Sequence, residues 1–150
     1  MKDWRQLVGR LVPATRDEAP APGPVPAPPA VPAPKRGGNV VVTVLGLSGK
    51  ALDQVLYLAH RQCAERGSRP VFVTDGLDFA PFRQRRLITD QVADAEALAA
   101  QIPELPWRSY RRRQYALVAA RWQPVAIVTF GRSPDADCLA ALEGTGPALA

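Results

Sequence analysis

A glycine turn lies between an apolar run and a helical pattern in the segment VVVTVLGLSGKALDQVL, residues 40–56, which is how phosphate-binding sites begin. A Walker loop needs four residues between its first glycine and the Gly-Lys pair, and a serine or threonine after the lysine. Gly46, Gly49 and Lys50 leave only two intervening residues, and Ala51 follows, so this is not a triphosphate loop. The dinucleotide fingerprint also fails, because two glycines give only GxxG.

Two interpretations of this turn remain open. In the first, Gly46 and Gly49 form a tight turn and Ser48 caps the helix that follows. In the second, free backbone N–H groups at the helix N-terminus and the positive charge of Lys50 contact an anion or a sugar nucleotide. Gly46, Ser48, Gly49 and Lys50 are therefore candidate ligand-binding residues.

Two carboxylates, Asp75 and Asp78, follow a second apolar run, RPVFVTDG at 69–76. Ligands of α/β sheets bind at the carboxyl ends of the strands, so both aspartates are candidate ligand-binding residues. The alternative is a structural turn in which Phe79 and Phe82 cover the edge of the sheet. The catalytic residues stay unknown, because an acid–base pair needs a separation and a pKa difference that the sequence does not give.

Arginines cluster at two places, at positions 83–86 and within WRSYRRRQYALVAARW at 107–122. Interleaved arginines and aromatic rings are typical of proteins that bind RNA or acidic polymers. The spacing of Tyr115, Val118 and Trp122 is instead that of a helix packed on a core, which would leave the arginines in solvent. The candidate residues for contact with an anion or a partner are Arg83, Arg85, Arg86, Arg111, Arg112 and Arg113.

The cysteine and histidine content predicts no metal site and no cofactor. Cys63 and Cys138 belong to no CxxC motif and have no histidine at ligand spacing, so a reduced, cytoplasmic protein is expected. His60, the single histidine, neighbours the apolar stripe of a predicted helix, which favours a partly buried structural role. No run of 18 apolar residues occurs, and no secretory signal is recognisable.

The chain of 150 residues suits one domain and a tail, and its 47% hydrophobic content is sufficient for a core. The formal net charge is +5, and six basic and three acidic residues before Gly37 account for +3 of it. The rest of the chain has 13 basic and 11 acidic side chains and therefore a net charge of only about +2. Proteins that bind nucleic acid concentrate positive charge on the folded domain, which this chain does not. We therefore consider a nucleic acid a less probable partner than a protein.

The first 36 residues form two segments. Residues 1–12 place Trp4, Leu7 and Leu11 at helical spacing, which predicts either a frayed terminus or a peptide that docks on a partner or peripherally on a membrane. Residues 13–36 include nine prolines between positions 13 and 34, so we expect a disordered, extended linker. We expect the folded domain at 37–143 and a flexible tail at 144–150.

Strand and helix patterns alternate through the folded region. Apolar runs at 39–46, 69–76 and 124–131 predict strands, and a short fourth strand is expected near Leu87 and Ile88. Helical patterns lie between them, from residue 52 to near Gly67, and at 92–101, 108–122 and 134–142. The fold class is therefore α/β, a small doubly wound, Rossmann-like, mainly parallel sheet of three to four strands with flanking helices.

The order of these elements over residues 39–90 resembles the N-terminal half of the GT-B glycosyltransferases. The resemblance rests on VLGLSGKA, on the helix end LAHRQCAERGSRP and on the strand VFVTDG. It implies that Gly46 to Lys50 face an interdomain cleft on the acceptor side. In that fold the second domain holds most of the sugar nucleotide, so the resemblance implies an acceptor-side or accessory subunit that needs a partner chain for any activity.

Two functions follow as hypotheses. The first is a glycosyltransferase-like half-domain in bacterial surface-polysaccharide or glycoconjugate assembly, which we expect to be non-catalytic when alone. The second is a small adaptor that binds a protein or nucleic acid through its arginine helix and proline-rich linker. In both, the open edges of a small parallel sheet predict pairing with a protein partner or a second copy of the chain.

Overall fold

The computed structural model of the chain describes residues 37–144. Within them lie four strands, β1 (Asn39–Leu45), β2 (Arg69–Thr74), β3 (Ile88–Gln91) and β4 (Pro124–Gly131). The helices are α1 (Gly49–Glu65), α2 (Ala80–Gln84), α3 (Ala95–Ala99), α4 (Trp107–Trp122) and α5 (Ala136–Leu142). The predictions for residues 1–12 and 13–36, and for the tail after Gly144, lie outside the described residues.

All four strands are parallel and form one sheet in the order β3-β2-β1-β4, which confirms the predicted α/β class. β1 occupies a central position, so Val42 pairs with Phe72 on one side and with Val128 on the other. Side chains of β1 and β2 are buried on both faces of the sheet. This double burial explains why both strands are continuous apolar runs.

Helices cover the two faces of the sheet in separate groups. One core cluster joins Val42 and Phe72 to Leu56 of α1 and Phe82 of α2. The cluster on the other face contains buried side chains of β1, β2, α4 and α5, among them Tyr115. The chain therefore winds over one face from β1 to β3 and over the opposite face from β3 to β4. The connection from β1 leads to one side along the sheet, and the connection to β4 returns to the other side of β1. The position between β1 and β4 is therefore the topological switch point, where open α/β sheets bind ligands.

Helix α1 follows directly from its sequence pattern. Leu52, Leu56, Ala59 and Cys63 recur every three or four residues, and all four are buried against the sheet. The helix ends where Gly67 adopts a φ of +67°, a left-handed conformation that terminates helices and that glycine adopts without strain. His60 lies on the exposed side of this helix, so the expectation of a partly buried histidine is wrong.

Two short helices differ from the sequence predictions. Helix α2 was not predicted, because Pro81 and only five residues leave no helical repeat to detect. Its Phe82 is buried and lies against Phe72, with 6.1 Å between the ring centres. Helix α3 is shorter than the predicted 92–101 because Asp94 accepts hydrogen bonds from the backbone of Glu96 and Ala97, which fixes the start of the helix.

The two edges of the sheet have different chemistry. β3 is four residues long and carries Asp90, which accepts hydrogen bonds from Arg121 and from the indole of Trp122. β4 is eight residues long, has no charged side chain and leaves Val125 66% exposed. Only the β3 edge therefore has the short length and charge that discourage further strand pairing.

Candidate ligand-binding site

The glycine turn after β1 has the geometry of a structural turn. Gly46 and Gly49 have φ angles of +70° and +55°, which side chains rarely adopt. Ser48 occupies the N-cap position of α1, but its side chain makes no capping hydrogen bond, so that predicted contact is wrong. Lys50 is exposed and forms no ion pair within residues 37–144.

Asp75 and Asp78 have separate structural roles. Asp75 lies just after β2, and its Oδ1 accepts a hydrogen bond of 2.8 Å from the backbone N–H of Gly46. Asp78 is exposed, and its Oδ1 accepts a hydrogen bond of 3.0 Å from the backbone N–H of Ala80, at the start of α2. The two carboxylates therefore do not form an acid–base pair, and only Asp75 reaches the pocket described next.

A pocket of about 220 Å³ opens at the carboxyl ends of the strands, beside the switch point. Residues at or just after the end of each strand line it, namely Leu45, Asp75, Val92 and Arg132. Helices α3 and α4 and the loops before α3 and α5 supply the other lining side chains, including Glu96, Arg111, Tyr115, Ser133 and Asp135. The lining thus combines apolar side chains with charges of both signs, a common composition for a small-molecule site.

Arg132 is surrounded by carboxylates on this rim. Its Nη2 contacts Asp75 Oδ2, its Nη1 lies 2.7 Å from Glu96 Oε2, and Asp94 Oδ1 lies 3.7 Å from Nη2. Its backbone N–H donates to Leu45 O at 2.9 Å, which fixes the start of the loop after β4. Partial burial opposes the charge of Arg132, but the hydrogen bond and charge of Asp75 and the charges of Glu96 and Asp94 outweigh burial and raise the pKa of the guanidinium.

The two main ion pairs of Arg132 differ in strength because they differ in exposure. The Asp75 side chain is 8% exposed, whereas that of Glu96 is 79% exposed. Removing the partner of a nearly buried carboxylate costs about 3–5 kcal/mol at full burial, and exposed pairs contribute only about 0–1 kcal/mol. The contact of Arg132 with Asp75 is therefore fixed, and its contact with Glu96 can be exchanged.

Tyr115 combines a buried ring with a place in the lining of the pocket. The residue is 1% exposed and packs in the α4 and α5 cluster, yet it lines the pocket. Burial, followed by the nearby Cys138 thiol, raises the pKa of the phenol, and the charges of Asp75 and Asp135 act in the same direction. The phenol is thus protonated at neutral pH and available to donate a hydrogen bond into the pocket.

A second ion pair in the lining joins Arg111 and Asp135. Arg111 Nη1 lies 3.2 Å from Asp135 Oδ2, and Asp135 Oδ1 accepts from the Cys138 backbone N–H at 2.9 Å. Burial alone would raise the pKa of Asp135, but the hydrogen bonds from Cys138 and the charge of Arg111 lower it. Burial and the hydrogen bond to Asp135 raise the pKa of the Cys138 thiol to about 12. Cys138 is therefore a protonated structural thiol and not a nucleophile.

The six candidate arginines do not form one basic surface. The cluster at 83–86 lies in and just after α2, on the same face of the sheet as α1, whereas the cluster at 111–113 lies in α4 on the other face. The sheet therefore separates the two arginine clusters. Arg85 pairs with Asp53 at 2.9 Å, and Arg83 lies over the Phe79 ring. Arg86 and Arg113 are exposed, and the buried Nε of Arg112 has no hydrogen-bond partner in the described part of the chain. Of the six, only Arg111 lines the pocket.

The sequence prediction identified Asp75 and Arg111 but missed Arg132, Tyr115, Glu96 and Asp135 as pocket residues. The rule that selected Asp75, a polar residue just after a strand, also selects Arg132 and Ser133 after β4. Tyr115 was assigned only to the core, because helical spacing shows that a ring is buried but not where its hydroxyl group ends.

Residues 37–144 contain neither a metal cluster nor a helix that could span a membrane. No group of three or more histidine, cysteine or acidic residues there is placed to hold a metal ion. No helix in the same range is long and apolar enough to cross a membrane.

Comparison with known proteins gives one structural similarity. No protein-family model matches the chain, and no curated protein does. The chain is similar to the crystal structure of formyltetrahydrofolate deformylase from Burkholderia mallei ATCC 23344, with a TM-score of 0.46 and 16% sequence identity. The match covers 73% of this chain, which spans 36% of the length of that structure. A similarity of this size does not transfer an activity.

The resemblance to GT-B glycosyltransferases was wrong, since the solved structure that matches is a deformylase and not a glycosyltransferase. The predicted half-domain function in polysaccharide or glycoconjugate assembly is withdrawn with it. The physical reason is that a strand, a glycine turn, a helix and a second strand recur in many doubly wound sheets, so these motifs specify an architecture and not an enzyme. The adaptor alternative, which relied on the arginine helix and the proline-rich linker, is not supported better by this comparison.

Proposed function

We propose that the described domain binds a small polar molecule in the pocket at the carboxyl edge of the sheet. The observation that carries the proposal is that Tyr115, a residue only 1% exposed, lines the pocket together with Arg132 and Asp75. A phenol in a pocket wall can donate a hydrogen bond to a ligand, which phenylalanine could not, so this position supports recognition of a polar group.

The position and size of the pocket support the same proposal. It lies beside the divergence of β1 and β4, where the loops of a doubly wound sheet leave room for a ligand. A volume of about 220 Å³ is below the roughly 300–1,000 Å³ of pockets for drug-sized molecules, which indicates a ligand of metabolite size.

Binding is the activity that the pocket chemistry supports, because its lining offers charged groups and hydrogen-bond donors such as Arg132 and Tyr115. A cytoplasmic location belongs to the proposal as well, because Cys63 and Cys138 are both unpaired thiols, as in reducing compartments.

A thermal-shift screen of the full chain against small polar molecules tests this proposal. A ligand that binds the native state raises the melting temperature, and we expect at least one molecule that does so. Its affinity should fall by roughly tenfold in Tyr115→Phe, the loss expected for one hydrogen bond into a buried site. Tyr57→Phe is the matched control, because Tyr57 is 60% exposed on α1, across the sheet.

Two results would overturn the proposal. Ligands that stabilise Tyr115→Phe as strongly as the wild type bind elsewhere on the chain. A screen without any stabilising molecule would likewise show that this pocket is not a ligand site.

A further inference from the structure

Arg132 uses its two terminal nitrogens for two unequal partners. Nη2 contacts Asp75, which is nearly buried and also accepts a hydrogen bond from Gly46. Nη1 lies 2.7 Å from Glu96, whose side chain is 79% exposed. Glu96 belongs to α3, a five-residue helix without a buried residue, so little packing holds its carboxylate in place. One side of the guanidinium is thus anchored and the other is exchangeable.

We propose that Glu96 is an internal stand-in for the carboxylate of the ligand, and that the site takes small carboxylates. This inference rests on the proposed ligand-binding function of the pocket and names the class of ligand. The ligand carboxylate accepts the hydrogen bond of Arg132 Nη1, and the Glu96 side chain turns into solvent. The hydrogen bond from Nη1 to an ionised carboxylate is charge-assisted and therefore strong, even though Nη2 stays with Asp75.

The charges around the pocket select this class over two others. A cationic ligand group cannot accept the hydrogen bond of Arg132 and could pair only with carboxylates of the rim, which leaves Arg132 with Asp75 and Glu96. A neutral oxygen acceptor competes only weakly with Glu96 for Arg132, because a hydrogen bond between two ionised groups is the stronger one. A ligand carboxylate replaces the exposed pair of Arg132 and Glu96 by a pair of Arg132 and the ligand inside the pocket. When the Glu96 side chain turns into solvent, its negative charge no longer repels the negative charge of the ligand.

The consequence is competition between Glu96 and the ligand for one donor. Neutralising Glu96 removes the competitor and one source of repulsion, so carboxylates should bind more tightly. The matched control is Glu65→Gln, because Glu65 is also an exposed glutamate paired with an arginine, Arg61 at 3.3 Å, but on α1. Both substitutions remove one negative charge from the surface, so only the location differs.

The test titrates the full chain with acetate, glycolate, inorganic phosphate and glycerol, and measures dissociation constants by NMR. We expect Glu96→Gln to bind acetate and glycolate roughly three- to tenfold more tightly than the wild type, with Glu65→Gln unchanged. Tyr115→Phe should weaken glycolate binding in both backgrounds. Glu96→Ala should act like Glu96→Gln, because the effect depends on the lost charge and not on the new amide.

The outcomes separate this inference from the function on which it rests. Binding that depends on Tyr115 but is unaffected by Glu96→Gln, or that favours glycerol or phosphate over the carboxylates, overturns the assignment of the ligand class and leaves the binding function intact. A screen in which no molecule depends on Tyr115 overturns both. Equal effects of Glu96→Gln and Glu65→Gln would show a general charge effect and would also overturn the inference.

Discussion

Arg132 and Asp75 are 57 positions apart in the chain and meet at the carboxyl edge of the sheet in a guanidinium–carboxylate contact. The other oxygen of Asp75 accepts the backbone N–H of Gly46. One carboxylate thus connects the loops that follow β1, β2 and β4. These three loops surround the switch point, so this contact holds the rim of the pocket in place.

Asp75→Ala should lower the free energy of unfolding by about 2–3 kcal/mol, because it removes two hydrogen bonds to a nearly buried charged group. Asp78→Ala is the control, since it removes one exposed hydrogen bond at the start of α2 and should cost about 1 kcal/mol or less. Urea unfolding of both variants measures the difference. Equal losses would show that Asp75 does not tie the loops together.

Gly131→Ala should destabilise the fold more than Gly67→Ala. Both glycines have left-handed φ angles, +71° and +67°, so each substitution carries a backbone cost of about 1 kcal/mol. A Cβ on Gly131 would lie 2.4 Å from the backbone oxygen of Leu45, whereas nothing lies within 4 Å of one on Gly67. Overpacking should add about 1–3 kcal/mol at Gly131. Similar urea midpoints for the two variants would contradict this account of the close approach of β1 and β4.

The pKa of Cys138 predicts a loss of stability at alkaline pH. An unfolded thiol titrates near about pH 8.5, and the native pKa of about 12 means that the folded state keeps its proton longer. This contribution to the free energy of unfolding is complete below about pH 8 and declines as the pH rises towards 12. Between pH 7.5 and 9.5, Cys138→Ala should therefore lose less stability than the wild type. Parallel pH profiles in urea unfolding would contradict the assignment.

The β4 edge leads us to propose that the chain pairs with a second copy of itself through this strand. An uncharged strand of eight residues creates no like-charge repulsion when a two-fold axis brings two copies together. We expect the full chain to be dimeric by light scattering and Val125→Lys to be monomeric. Leu117→Lys is the control, because Leu117 is 54% exposed on α4. A monomeric wild type at about 100 μM would refute the proposal, since stable interfaces bind well below this concentration.

The fold was largely predictable from the sequence. Buried strands such as β1 and β2 require continuous apolar runs, and α1 requires apolar residues on one side, so both patterns are explicit in the residues. Helix α2 was missed because five residues contain no repeat, and its contact of Phe82 with Phe72 depends on tertiary packing.

The pocket was less predictable because it depends on strand order. Asp75 and Arg132 each follow a strand, but nothing in their local sequence shows that β2 and β4 both flank β1. Once that order is known, their proximity follows from the parallel register. The position of Tyr115 in the wall of the pocket depends on three-dimensional packing, so no sequence pattern reveals it.

The most direct test of the central claim is NMR of the full chain with tyrosines labelled by ¹³C at the carbon that bears the hydroxyl group. The chain has three tyrosines, so Tyr57 and Tyr110 serve as internal references for Tyr115. On titration with glycolate, or with a hit from the thermal-shift screen, we predict that the Tyr115 resonance moves in a saturable way while the Tyr57 resonance stays in place. A bound ligand that leaves the Tyr115 resonance unchanged would contradict binding in this pocket.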